Sequence, residues 1–315
     1  MKLSKYLELN KGQLINEQEF ETLGILDSDV DKNICTFIDG EKYIPKIKPN
    51  ITMLITTPEL YSKLKNRSCG FYITDEPRIT FFSLQNILSN CSEYLRQTFK
   101  TKIGKNCCIS NMAHIAEKNV VIGDNVTIEE FVSIKENVKI GDNSIIRAGS
   151  VIGGIGFEFK RLENEIMPVN HVGGVEIGSN VEIQYNTTVD KAIYPWDNTV
   201  IGDYTKIDNL NHIGHACKIG KCVMIPAGSI IGGRAIIEDN TWIGIGCTIR
   251  NGIKIGKNVR CNMGAVVTKE VLENESVTGN FAINHETFIN NLKKWNEGIW
   301  WWRLKKLQFL EEMEQ

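Results

Sequence analysis

Isoleucine recurs at every sixth position along the middle of this chain, and that period restricts the fold more than any other feature. Ile122, Ile128, Ile134, Ile140, Ile146 and Ile152 form one run. A longer run takes in Ile201, Ile207, Ile213, Ile219, Ile225, Ile231, Ile237, Ile243, Ile249 and Ile255, and its phase reaches back through Ile177, Ile183 and Val189. A period of six matches neither the 3.6 of a helix nor the 2 of a half-buried strand. It matches a chain that turns a corner every six residues, so that three short faces close one triangular coil of about 18 residues. Each Ile then stacks on the Ile one coil later at the ~4.8 Å strand spacing, and a continuous column is buried. Gly123, Gly141, Gly178, Gly202, Gly220, Gly244 and Gly256 follow hexad Ile residues and are expected at the corners. Asp-Asn or Lys-Asn pairs at 124–125, 142–143, 239–240 and 257–258 add turn chemistry.

Interruptions in the hexads locate insertions. The phase slips by one residue between Ile115 and Ile122. The segment GGIGFEFKRLENEIMPVNHVGG, near 153–174, is too long and polar for regular coils and is expected to loop out, where function commonly sits. In KAIYPWDNT, Pro195 stands where a hexad Ile would fall. Residues 1–100 carry no hexads. ITMLITT and CGFYIT read as strands and FFSLQNILSNCSEYLRQTF as a helix, giving a small α/β domain. The solenoid is expected over 101–283 and a helical tail over 284–315. Trp295, Trp300, Trp301 and Trp302 are too concentrated in that tail to be left in water by a monomer. The expected role of this helix is packing on the solenoid or on a neighbouring subunit; the alternative is that Arg303, Lys305 and Lys306 offer a basic surface to an acidic carrier protein.

The fold class expected is therefore mainly β, a parallel β-helix flanked by that domain and tail. Charge narrows the partners. Lys plus Arg total 36 against 38 Asp plus Glu, a formal net charge of −2, which removes the basic footprint of a nucleic-acid binder. No apolar run approaches the ~18 residues of a spanning helix, and MKLSKYLELNKGQ lacks the apolar core of a secretory signal. Nine scattered Cys without C-x-x-C pairs fit reduced thiols, so a cytoplasmic protein is expected.

Five His limit the chemistry, and two lie in KIDNLNHIGHACKIG. Ile213 and Ile219 already fill the interior there, so His215 is free for another use. Asp208 precedes it by seven residues and is expected to share its outer edge. One coil on, Gly233 should lie directly above His215 with its N–H uncovered. A general base beside an oxyanion donor is the minimum for acyl transfer to an amine or hydroxyl. No G-x-S-x-G elbow is present, so direct transfer is favoured over an acyl-enzyme. A zinc site needs three converging His, whereas the positions one coil from His212 and His215 are Ile230, Gly233, Tyr194 and Asp197. A metal ligand set is therefore not expected, and His114 would be the remote donor it required.

The hexads resemble those of left-handed β-helix, hexapeptide-repeat acyltransferases. CTFIDGEKY, GIGFEF, VEIGSNVEIQYNTTVD and KIDNLNHIGH, in that order, resemble the UDP-3-O-(3-hydroxyacyl)glucosamine N-acyltransferases of lipid A synthesis over nearly the whole chain. That resemblance implies His215 as catalytic base, Gly233 as oxyanion glycine, Asp208 as the acidic residue beside the base, and Phe37 and Tyr43 as the aromatic pair holding a uracil ring. His212 is expected to contact the nucleotide sugar. Asn251, Lys254 and Lys269 are expected along the acyl donor, and a homotrimer is implied.

The C-terminal coils depart from that family. RNGIKI places Gly252 and Ile253 where the family has a second His, and VVTKEVLENESVTGNFA resembles the end of sugar acetyltransferases that use coenzyme A. The expectation drawn from these departures is an N-acyltransferase moving a short 3-hydroxyacyl group from acyl-CoA to a dTDP-3-amino-3,6-dideoxyhexose of surface polysaccharide synthesis. The alternative is the lipid A enzyme with an acyl carrier protein thioester. No permanently bound cofactor is expected. A β-helix scaffold without catalysis is the alternative of another class.

Overall fold

The computed structural model describes residues 1–7, 11–279 and 284–295. Two units are present, Met1–Thr278 and Gly279–Gln315.

The first unit opens with a five-stranded sheet. Its strands are β1 (Gln13–Ile15), β2 (Thr22–Leu23), β3 (Ile34–Phe37), β4 (Ile51–Thr56) and β5 (Gly70–Ile73), in the order β1-β5-β4-β3-β2. Only β1 runs antiparallel to its neighbour; β2 through β5 are parallel, with helix α1 (Pro58–Leu64) crossing over between β4 and β5. Helix α2 (Pro77–Leu88) starts on a proline, whose missing N–H is no loss at a helix N-terminus. Its Phe81, Phe82, Leu84 and Leu88 are buried on one stripe. The helix ends at Leu88, well short of the apolar and aromatic pattern that continues to Phe99.

The left-handed β-helix begins at the strand Lys102–Ile103, and its last strand is Ser276–Val277. Three parallel sheets of nine, eight and eight strands form its faces. Face 1 contains Lys206–Ile207, face 2 contains His212–Ile213 and face 3 contains Lys218–Ile219, and the chain visits them in that order. Registers pair hexad with hexad: Ile207 with Ile225, Ile213 with Ile231, Ile219 with Ile237. The resulting column of Ile and Val is almost wholly buried, and each such side chain contributes ~1.5–3 kcal/mol relative to exposure. Interior Ser and Thr are satisfied by the next coil, as where Ser229 Oγ donates to Gly244 O at 2.9 Å and Thr241 Oγ1 to Gly256 O at 3.0 Å.

The corners revise one expectation. The left-handed turn residue is the third after each Ile, with φ of 57° at Asn125 and Asn143 and 58° at Asn240 and Asn258. Asn tolerates this conformation better than most residues. The glycine directly after Ile serves close approach instead. A Cβ on Gly202 would lie 2.6 Å from the Gly220 carbonyl carbon of the next coil.

Both insertions leave the solenoid at one corner, between faces 2 and 3. The first runs from the strand Val151–Gly154 to Gly174–Ile177 and folds as an antiparallel hairpin, Phe159–Arg161 with Ile166–Pro168. The second lies between Thr188–Asp190 and Asn198–Ile201. Together they fasten the N-terminal domain. Val169, Ile193 and Tyr194 join a core with Phe81, Phe82 and Leu88. The buried Gln85 amide donates to Asn170 O at 3.0 Å and to Ile193 O at 3.3 Å, and Trp196 Nε1 donates to Leu23 O at 2.8 Å. The α/β domain is thus a continuous part of the first unit.

In the second unit residues 285–295 are helical, and Trp295 is 73% exposed. The expectations for Trp300, Trp301, Trp302, Arg303, Lys305 and Lys306 fall outside the described residues. Among the described residues no helix is long and apolar enough to cross a membrane.

Candidate active site

Directly above the two insertions, at the same corner, stands His215. Its coil follows the coil of the second insertion, and Gly233 takes the equivalent position one coil further on. A Cβ built on Gly233 would lie 2.7 Å from His215 Nε2, so the glycine is required by the imidazole it faces. The neighbouring Arg234 N–H donates to His215 O at 2.8 Å and locks the two coils together. Arg234, the third residue after Ile231, is the left-handed corner residue of its coil with φ 61°, as Ala216 is one coil earlier with φ 59°. Among the described residues the Gly233 N–H donates to no protein group.

The hairpin closes this corner from outside. Glu158 brings Oε2 to 3.5 Å from His215 Nε2 and 3.8 Å from Arg234 Nη2, while its Oε1 pairs with Lys160. His171 packs edge-on against the His215 ring, with centroids 5.5 Å apart. Its Nδ1 donates to Val169 O at 2.8 Å, which leaves a lone pair on Nε2 in the neutral ring. Among the described residues, four of the seven buried side-chain atoms without a hydrogen-bond partner lie here: His171 Nε2, His215 Nδ1, Arg234 Nη2 and the Tyr194 hydroxyl. Unmatched polar atoms concentrated in one place are a functional signature, because elsewhere such groups are costly.

Burial and the Arg234 charge push the His215 pKa down to about 4 against the opposing pull of Glu158. Burial also lowers His171. Burial alone would raise Glu158, but Lys160, Arg234 and His215 together hold it below the usual carboxylate value. The base is therefore neutral, and competent to take a proton, throughout the physiological range. Stability carries the same signature. The unfolded chain protonates these histidines near 6.5 while the folded one resists, so stability falls as pH drops from about 6.5 toward 4. The expected slope approaches about 1.4 kcal/mol per pH unit for His215, and His171 adds in the same direction. Chemical denaturation at pH 7 and pH 5 measures it, and His215→Asn should flatten part of the dependence.

Four of the nine expected residues, His215, Gly233, Asn251 and Lys269, lie on this corner, and the other five lie elsewhere. Asn251 and Lys269 continue the column of His215 and Gly233, one and two coils above. His212 lies on the outer side of face 2, with Nδ1 3.0 Å from Thr188 Oγ1 and Nε2 3.7 Å from Asp190 Oδ2. Asp208 is not beside the base. It follows face 1, so it sits at the corner between faces 1 and 2, accepting from Asn209 N at 2.7 Å and Ala227 N at 3.1 Å. Seven residues exceed one six-residue face, so the two side chains belong to different edges. The acidic group at His215 is Glu158, which the hexad pattern could not reach because it arrives from the insertion. Lys254 is engaged by Glu238 at 2.6 Å on face 3. His114 shares face 2 with His212 but is separated from it by the strands at 133, 151 and 188. Among the described residues no group of three or more His, Cys, Asp and Glu could hold a metal ion.

Phe37 and Tyr43 line a separate cleft of about 150 Å³ with Ile25, Leu26, Asp39 and Arg78. It is connected to the base by side chains in sequence. Phe37 packs on Phe82 with centroids 5.9 Å apart, Lys160 Nζ lies 4.0 Å from the Phe82 centroid, and Lys160 holds Glu158.

Comparisons with known proteins bear on the repeats and on the chain as a whole. Residues 119–154 and 198–233 match the bacterial transferase hexapeptide (six repeats) family, and residues 234–269 match the hexapeptide repeat of succinyl-transferase. The UDP-3-O-acylglucosamine N-acyltransferase of Campylobacter lari is 33% identical over 269 residues, 79% of this chain and 82% of that protein. The enzyme of the same name from Delftia acidovorans is 31% identical over 137 residues, 44% of this chain and 40% of that protein. The latter match thus spans less than half of that relative. The crystal structure of a UDP-N-acetylglucosamine acyltransferase from Bacteroides fragilis superposes with a TM-score of 0.50 at 25% identity, covering 60% of this chain and 69% of that one. Its counterpart from Campylobacter jejuni gives a TM-score of 0.51 at 22% identity, over 57% and 68% of the two chains.

Proposed function

The chain belongs to the UDP-3-O-acylglucosamine N-acyltransferase family, and from that premise we propose that it transfers an acyl group from a thioester to the amine of a UDP-linked, 3-O-acylated glucosamine in lipid A synthesis. The observation that carries the proposal is the neutral His215 facing Gly233, joined by contacts to the cleft lined by Phe37 and Tyr43. The pyrimidine enters between Phe37 and Tyr43, whose rings offer it stacking surfaces. Lys46 and Arg78 line the same cleft, each paired with an acid of that cleft, Asp27 at 3.9 Å and Asp39 at 2.9 Å. The sugar reaches along Lys160 to the corner. His215 Nε2 takes a proton as the amine nitrogen attacks the thioester carbon, the Gly233 N–H holds the oxyanion, and the departing thiolate receives the proton as the C–S bond breaks.

The relatives favour the uridine-linked acceptor and give no support to the dTDP-linked amino-deoxyhexose. We place an acyl carrier protein thioester ahead of acyl-CoA as donor, because Lys254 is occupied by Glu238 rather than open to a coenzyme phosphate. The donor chain then runs past Asn251 and Lys269. A homotrimer is supported by exposed apolar side chains beside this face, among them Leu210, Ile230, Ile245, Met263 and Val266. All nine cysteines are free, in keeping with a reducing cytoplasm.

Ligand-dependent melting tests the acceptor. UDP at ~100 times its dissociation constant should stabilise the protein by about 2.7 kcal/mol, and Tyr43→Ala should abolish most of the shift. Stabilisation by dTDP but not by UDP would overturn the uridine assignment.

A further inference from the structure

Glu158 presents one oxygen that the protein leaves unused. Oε1 is taken by Lys160, but Oε2 makes no hydrogen bond to any of the described residues, among which its polar neighbours are His215 Nε2 at 3.5 Å and Arg234 Nη2 at 3.8 Å. Arg234 Nη2 is itself a buried donor without a partner. His215 is 9% exposed and the Glu158 side chain 16%, so water does not freely dilute these groups. One carboxylate acceptor, one imidazole nitrogen and one guanidinium donor thus surround the place where the acceptor atom must sit. A ligand that satisfies all three has a nitrogen with two hydrogens to give and a neighbouring oxygen to accept.

Resting on the acyl-transfer reading above, we propose that Glu158 is the residue that makes this site select an amine over a hydroxyl as acyl acceptor. A neutral amine gives one N–H to His215 Nε2 and the other to Glu158 Oε2, and the oxygen on the adjacent sugar carbon accepts from Arg234 Nη2. A hydroxyl has a single hydrogen. If it serves His215, Glu158 Oε2 is left buried and unpaired, and sites built around such a bond reject the ligand lacking it by large factors. The local charge acts in the same direction. Lys160 and Arg234 outnumber Glu158, so the corner disfavours an ammonium and holds the amine in its nucleophilic, neutral form. In the reaction the N–C bond forms as C–S breaks, the His215-bound hydrogen passes through Nε2 to the thiolate, and the Glu158-bound hydrogen stays on the amide product.

This role differs from general basicity. Glu158 acts through the second hydrogen of the acceptor and takes no proton, so its loss should alter acceptor discrimination more than it alters use of the donor.

The test compares two acceptors that differ only at one atom, the UDP-linked 3-O-acyl-2-amino sugar and its 2-hydroxy analogue, in wild type, Glu158→Gln, Glu158→Ala and His215→Ala. Wild type is expected to prefer the amine in kcat/KM by ~10⁴ or more. Both Glu158 variants should lower that preference by at least 100-fold, mainly through slower amine transfer, with the KM for the acyl donor unchanged. A Glu158 variant that slows both acceptors equally and keeps the preference would overturn the proposal and assign Glu158 to holding Lys160 and the hairpin. So would a variant as fast as wild type. If His215→Ala also transfers acyl groups at the wild-type rate, the acyl-transfer reading fails with it; if His215→Ala alone is inactive, that reading stands and only the selectivity proposal falls.

Discussion

Replacing His215 with alanine is expected to lower kcat by ~10²–10⁴-fold, the usual worth of a positioned base, while the protein folds as before. The reasons are local. The imidazole lies outside the Ile column, whose interior positions on either side are filled by Ile213 and Ile219, so its removal empties no core site. Arg234 bonds the backbone carbonyl of residue 215, not the ring, and that coil-to-coil link survives the substitution. What disappears is the one nitrogen that faces both Glu158 and Gly233. Steady-state kinetics with matched melting curves separate the two effects. Near-normal turnover in a folded variant would remove His215 from the chemistry.

Gly233→Ala should be nearly as damaging and for a different reason. Gly233 is not among the residues with positive φ, so its backbone accepts a side chain. The obstacle is the imidazole: a methyl group would stand 2.7 Å from Nε2 and 2.9 Å from Cδ2. His215 must swing away, and its packing against His171 and Glu158 gives it little room. Loss of ~10²-fold or more in kcat is expected, in line with removal of an oxyanion donor or its alignment. Gly246→Ala provides the contrast. That glycine has φ 65° and open space around its Cβ, so the variant should lose ~1–2 kcal/mol of stability through backbone strain and keep its activity. Equal behaviour of the two variants would argue against a specific fit between Gly233 and the base.

The sequence makes the solenoid legible because burial repeats. A residue that must be apolar at every sixth position leaves a period no other architecture needs, and adding one coil to His215 leads to Gly233 by counting alone. The same counting misplaces Asp208, since a separation of seven passes a corner and moves the side chain to another edge. Glu158 and His171 cannot be found this way. Their positions depend on how a polar hairpin folds back and on the grip of Gln85 and Asn86 of α2 on it, none of which leaves a period. The available signal was indirect: both breaks in the repeat, at Ile152 and before Pro195, follow the same face and stack beneath the coil of His215. Phe37 and Tyr43 come from the family resemblance and from no local pattern in the sequence. Their shared cleft depends on the packing of β3 beside the turn at Glu41–Lys46, which no local pattern announces.

The most direct measurement is the mass and linkage of the product formed when the purified protein is given a 3-hydroxyacyl carrier-protein thioester and UDP-3-O-acylglucosamine. The expected result is one added acyl group in a hydroxylamine-resistant amide, formed by wild type and not by His215→Ala. A folded protein that yields no acylated sugar, or yields only a hydroxylamine-labile ester, would contradict N-acyl transfer at this corner.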